Sequence, residues 1–202
     1  MPNTLPSEMN PLLEENLINI IGQRIADCRL ECLDEFNEGK GDTSVSQGMR
    51  NRDWAIQGVR ELVQEDIPGA GIIKDERMLF IGAINGVPYK IFRDDPKEPV
   101  GRALKGFEDE DRQMELLFPD DINNKAIMWR FIVDSKMPVG EVRVVFVGIE
   151  KKSKKVVCLY EIPLQGKVQS LHLVGDKPEA AVELPAPQVG PKERREDVVS
   201  NG

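Results

Sequence analysis

Residues Met78–Pro96 read MLFIGAINGVPYKIFRDDP, and the reading of the Asn85-Gly86 pair near their middle decides the fold. Asn and Gly both tolerate positive φ, which a two-residue type I′ turn requires at its two central positions. Beyond the pair, Val87, Tyr89 and Ile91 fall on one face of an extended run and Lys90 on the other. The stretch is therefore expected to be a β-hairpin. Strand geometry accounts for the Asn-Gly pair without giving it any chemistry.

Toward the N-terminus, Asn10-Pro11 with Glu14 and Glu15 predicts a helix start: a capping side chain, proline in the first turn, and acids at the positive end of the dipole. Leu13, Leu17, Ile20, Ile21, Ile25, Cys28, Cys32 and Phe36 then recur at three- and four-residue steps, one apolar stripe stopping near Gly39. A second helix is expected from Ser46 to about Glu65, burying Trp54, Val59, Leu62 and Val63. Toward the C-terminus comes a helix within residues 99–118. Three strands follow, MWRFIVD, EVRVVFVGIE and KVVCLYEIPL, the last two meeting at KKSKK as a second hairpin. From Gly175 the chain is rich in proline and charge and poor in large apolar residues, so it is expected to stay disordered. The reading is an α+β fold with an antiparallel sheet. Its parts are a flexible N-terminus (1–9), a helical region (10–66), an α+β core (67–174) and an acidic, proline-rich tail (175–202).

A net charge of −8 disfavours broad attraction to nucleic acid. No apolar run reaches the roughly 18 residues that span a bilayer, and the first residues lack the basic start and apolar core of a signal peptide. Three cysteines do not make a disulfide framework. The expected location is the cytoplasm.

Candidate chemistry is sparse. Pro119-Asp120 followed by Glu150-Lys151-Lys152 has the outline of the PD-(D/E)xK nuclease motif. There Asp120 and Glu150 would hold Mg²⁺, Lys152 would help activate water, and Glu31 or Glu35 could complete the set. Yet Asp120 falls in a loop and Glu150 opens a lysine-rich turn, so the motif lacks its strand context. Cys28, Cys32, Cys158 and His172 offer zinc donors, but the cysteines lie in apolar stretches where a thiol serves as a small core residue. His172 is the only histidine, which leaves histidine-dependent catalysis little support. No phosphate-binding glycine loop occurs. The expectation is no cofactor and no metal.

Charge is uneven. Residues 94–121 hold ten acids against four bases, including the run Glu108-Asp109-Glu110-Asp111. This suits a solvated helix face, or a surface mimicking nucleic acid for a basic partner. Lys151, Lys152, Lys154 and Lys155 crowd one turn, where lysine keeps a sheet end soluble. Arg50, Arg52 and Arg60 accompany Trp54 on the second helix, without the closely following partner helix that DNA reading needs.

The order LFIGAINGVPYKIFRDDP, DRQMELLF, MWRFIVDSKMPVGEVRVVFV and EIPL, over about residues 77–164, resembles small bacterial proteins encoded beside ImmA/IrrE-type metallopeptidase regulators. The resemblance brings no catalytic residues. It implies a binding role, as an antitoxin-like partner restraining a metallopeptidase-domain toxin or regulator. The leading expectation is thus a non-catalytic module that binds another protein through the strand carrying Tyr89, Lys90 and Arg93, or through the first helix. A homodimer is compatible with the same surfaces. The alternatives are the Mg-dependent nuclease and the acidic mimic.

Overall fold

The computed structural model describes residues 4–76, 79–138 and 140–165. The expected tail and His172 lie outside these. In chain order come α1 (Pro6–Met9), α2 (Glu15–Asp34), α3 (Ser44–Gln64), β1 (Ala70–Asp75), β2 (Phe80–Ile84) and β3 (Val87–Asp94). Then follow α4 (Glu108–Leu117), α5 (Ile122–Lys125), β4 (Ile127–Asp134), β5 (Val144–Glu150) and β6 (Val156–Glu161). The fold is α+β, with one six-stranded sheet in the order β1-β2-β3-β4-β5-β6.

The Asn-Gly turn has the expected conformation, with φ of 47° at Asn85 and 85° at Gly86, and Ile84 faces Val87 across it. The turn also does something its hairpin signal did not announce. Asn85 Nδ2 donates to the Leu12 carbonyl at 2.9 Å and to Glu14 Oε1 at 3.1 Å, tying the hairpin to the entrance of α2.

The first long helix starts later than expected. Buried Asn10 instead caps the end of α1, its Oδ1 accepting the Leu12 N–H in an Asx turn that competes with helix initiation. Residues 6–9, read from the sequence as part of a flexible arm, form a helical turn in which Ser7 donates to Glu15. At the other end Asn37 turns the chain out of α2 by capping a short 3₁₀ segment, Glu38–Lys40. α3 begins at Ser44 because Thr43 and Ser46 form a reciprocal capping box.

The sheet is mostly antiparallel, as expected, with one parallel join that the sequence did not reveal. β3 and β4 run parallel from Tyr89–Trp129 to Asp94–Asp134, and every other join is antiparallel. A parallel pair needs a long crossover, and residues 95–126, with α4 and α5, supply it. The crossover covers one face of the sheet and α2 with α3 cover the other. Trp129, Phe131 and Phe146 pack with Ile18, Ile21, Ile25 and Val59, and Trp129 stacks on Phe146 at 5.2 Å. On the opposite face Met128, Ile132, Val145, Val147 and Ile149 pack under Leu104.

The crossover is pinned by ions. Asp109 meets Lys74 of β1 at 2.8 Å, and Asp111 meets Lys151 beyond β5 at 2.6 Å. Between them Glu110 forms a two-pronged pair with Arg130 of β4, at 2.5 and 3.1 Å, with both side chains buried. Arg130 also donates to the carbonyls of Ala103, Lys105 and Trp129. The acidic run is therefore not one solvated face.

A cationic cleft where the sheet divides

The β2–β3 ladder stops at Gly82–Tyr89, while β3–β4 continues to Asp94–Asp134. β2 instead follows β1, which is bulged between Ile72 and Lys74. Along Lys90–Arg93, β3 therefore has no strand on its β2 side among the described residues. A cavity of about 410 Å³ opens there, between α2 and α3, the start of β2, and the 102–107 segment. This lies within the 300–1,000 Å³ usual for small-molecule sites.

The lining is unusual in its charge. Arg29 from α2, Arg52 from α3, Lys90 and Arg93 from β3, and Arg102 and Lys105 from the crossover all contribute, and no carboxylate among the described residues does. Ile25, Ile56, Phe80, Phe92, Phe107 and Val133 supply apolar wall. In a chain carrying −8 overall, the cleft concentrates positive charge against low-dielectric walls, which focuses the field on its interior.

Two groups in this lining have buried polar atoms with no hydrogen-bond partner among the described residues. Arg29 is 9% exposed, and its Nη1 has no hydrogen-bond partner among the described residues. Burial lowers its pKa, and the neighbouring Arg93 guanidinium lowers it further. The Asn51 amide is likewise buried without a partner at either Nδ2 or Oδ1. Buried polar groups are ordinarily hydrogen-bonded, and each exception calls for a reason.

Lys90 is 7% exposed and makes no ion pair among the described residues. Its ammonium lies 3.1 Å from the centre of the Phe107 ring and 5.5 Å from that of Phe92. Burial pushes its pKa down to about 8. Glu110 opposes the shift, while Arg130, Arg52 and Lys105 add to it.

Of the residues singled out from the sequence, Lys90 and Arg93 line this cleft together. Tyr89 does not. It is 1% exposed and packs edge-on against Phe131 with its ring over Gly82. Asp120 sits in the turn between α4 and α5. Glu150 ends β5 and accepts a hydrogen bond from Ser153, and Lys152 lies in the tight β5–β6 turn. No three His, Cys, Asp or Glu side chains among the described residues are grouped to hold a metal, so neither Glu31 nor Glu35 joins Asp120 and Glu150 in such a set. The cysteines diverge: Cys28 lies beside Gly58, while Cys32 contacts the Gln47 carbonyl and Cys158 the Thr4 carbonyl. Burial raises all three thiols, Cys28 and Cys158 to about 11. No helix among the described residues is long and apolar enough to cross a membrane.

No protein-family model matches the sequence, and no curated protein or solved structure is significantly similar to the chain.

Proposed function

We propose that this chain is a cytoplasmic binding protein whose ligand is a small anion with an apolar body, held in the cleft beside β3. One observation carries the reading: among the described residues six basic side chains and no carboxylate line an apolar-walled cavity, with Nη1 of the buried Arg29 unpartnered. The unpartnered Nη1 donor destabilises the empty protein, because a desolvated donor without a partner costs about 1–3 kcal/mol. A phosphate or carboxylate placed there would satisfy Arg29 and Asn51 together, with charge-assisted hydrogen bonds.

The test is thermal unfolding with inorganic phosphate, citrate and a nucleoside monophosphate, followed by titration calorimetry of the best of them. A ligand at 100 times its Kd adds about 2.7 kcal/mol, or about 5–10 °C in Tm for a chain of this size. Gly48→Leu supplies a clean block. Gly48 lines the cleft from α3, and a Cβ there would meet nothing within 4 Å. Leucine thus enters empty space and improves helix propensity by about 1 kcal/mol. Binding abolished by Gly48→Leu with the fold intact supports the proposal. An anion panel that leaves Tm unchanged overturns it.

A second reading, binding of a protein partner, is favoured by the open edge of β3. An extended acidic segment added there would find backbone groups that no strand among the described residues pairs, flanked by Arg93 and Arg102. The metallopeptidase-domain partner implied by the sequence resemblance would have to present such a segment. Because Lys90 is buried, the surface variant of choice is Arg93→Glu with Arg102→Glu. Undiminished capture of the partner by that variant would exclude this edge.

A further inference from the structure

We infer that Lys90 is the amine of an imine-forming site, taking an aldehyde or ketone that also carries a phosphate or carboxylate group. The inference rests on the anion-binding reading above and adds covalent chemistry to it. Lysine is almost never fully buried without a partner. Here the acid that acts on it, Glu110, has its two oxygens engaged by Arg130. What surrounds the Lys90 amine is instead Phe92, Phe107 and the cations Arg130, Arg52 and Lys105, and it forms part of the cavity wall. Desolvation beside other cations is the arrangement that turns a lysine into a nucleophile. With a pKa of about 8, about a tenth of Lys90 is neutral at pH 7, roughly 300-fold more than for an ordinary lysine. Arg29, Arg93 and Arg102 remain in the same cavity to hold the anionic group of the ligand.

The chemistry balances without any co-reactant. The neutral amine adds to the carbonyl carbon, and the carbinolamine then loses the carbonyl oxygen with both amine hydrogens as water. A C=N bond replaces C=O, and nothing is oxidised or reduced. Walls formed by Phe92 and Phe107 limit the access of water for the reverse step.

The probe is pyridoxal 5′-phosphate, which joins an aldehyde to a phosphate, at near-stoichiometric concentration and pH 7. Borohydride reduction and peptide mass mapping follow. One adduct per chain is expected, on the peptide containing Lys90, at least 10-fold ahead of any other lysine. It should be lost in Lys90→Met and Gly48→Leu, and competed by excess inorganic phosphate. Labelling spread over exposed lysines with Lys90 unmodified, in protein that binds anions by calorimetry, overturns the imine and leaves the binding reading standing. Absence of both anion binding and the Lys90 adduct overturns both. A Lys90 adduct that forms equally fast with a phosphate-free aldehyde would remove the anionic group from the proposed ligand.

Discussion

Replacing Arg29 with methionine should stabilise the protein while abolishing its binding. Methionine keeps most of the stem that packs beside Ile25 and Cys32, so little apolar contact is lost. What disappears is a guanidinium that is 9% exposed, has an unsatisfied Nη1, and faces the like charge of Arg93. Relief of the unpaired donor is worth about 1–3 kcal/mol; allowing for imperfect filling of the space leaves a net gain of about 1–2 kcal/mol. For a chain of this length each kcal/mol moves Tm by about 2–4 °C, so a rise of about 2–8 °C is expected. Differential scanning calorimetry without added anions reads the stability, and titration calorimetry with the anion reads the binding. Such opposed effects mark a residue kept for function at the expense of stability. A fall in Tm of several degrees would show that Arg29 is part of the structural core and would refute the reasoning.

Lys90 gives a pH signature. Its folded pKa, about 8, lies below the ordinary 10.5, so between these values the unfolded chain binds more protons and stability rises with pH. The gain is on the order of 3 kcal/mol, and a plot of ΔG against pH for Lys90→Met should lack that rise. Glu110→Gln, which strands the buried Arg130 charge, should cost about 3–5 kcal/mol in urea unfolding; Glu110→Leu with Arg130→Met should recover much of it, and a double variant no better than the single would argue against the pair. Gly86→Ala forces a side chain into φ of 85° and should cost about 1 kcal/mol, measured as a lower urea midpoint at unchanged slope. The raised thiols of the buried Cys32 and Cys158 should react slowly with iodoacetamide at pH 7.5 until the chain unfolds, and rapid labelling of both in the native protein would contradict their burial.

The elements that could be read from sequence are those specified locally. Asn85-Gly86 dictates its own turn, and the runs MWRFIVD and VRVVFVGIE are too apolar to lie anywhere but in the middle of a sheet. The direction of β4 relative to β3 was not legible, because nothing within either strand records on which side the intervening crossover passes. The acidic run misled for a geometric reason. Consecutive helical residues point about 100° apart, so four in a row cannot share one face, and Glu110 turns inward to Arg130. The cleft draws on residues 25–29, 48–56, 80, 90–93, 102–107 and 133, six separated stretches that only the folded chain brings together. Lys90 and Arg93 were visible as bases on a strand. Arg29 left a fainter signal, standing at the position where Ile25 and Cys32 continue the apolar stripe of α2. A base on such a stripe is worth asking about, since burial there leaves it few partners.

The division of the sheet bears on solubility under crowded conditions. An unpaired strand edge at the rim of a sheet invites another copy to add on, and repeated addition makes fibrils. Here the stretch of β3 left unpaired by the described residues lies inside the sheet order, with β1 and β2 still to one side and basic side chains clustered about it. A second copy would bring its own Lys90, Arg93 and Arg102 to the same place, so identical chains repel where a negatively charged visitor is attracted. The protein can keep an edge open for hydrogen bonding without that edge becoming a template for self-polymerisation.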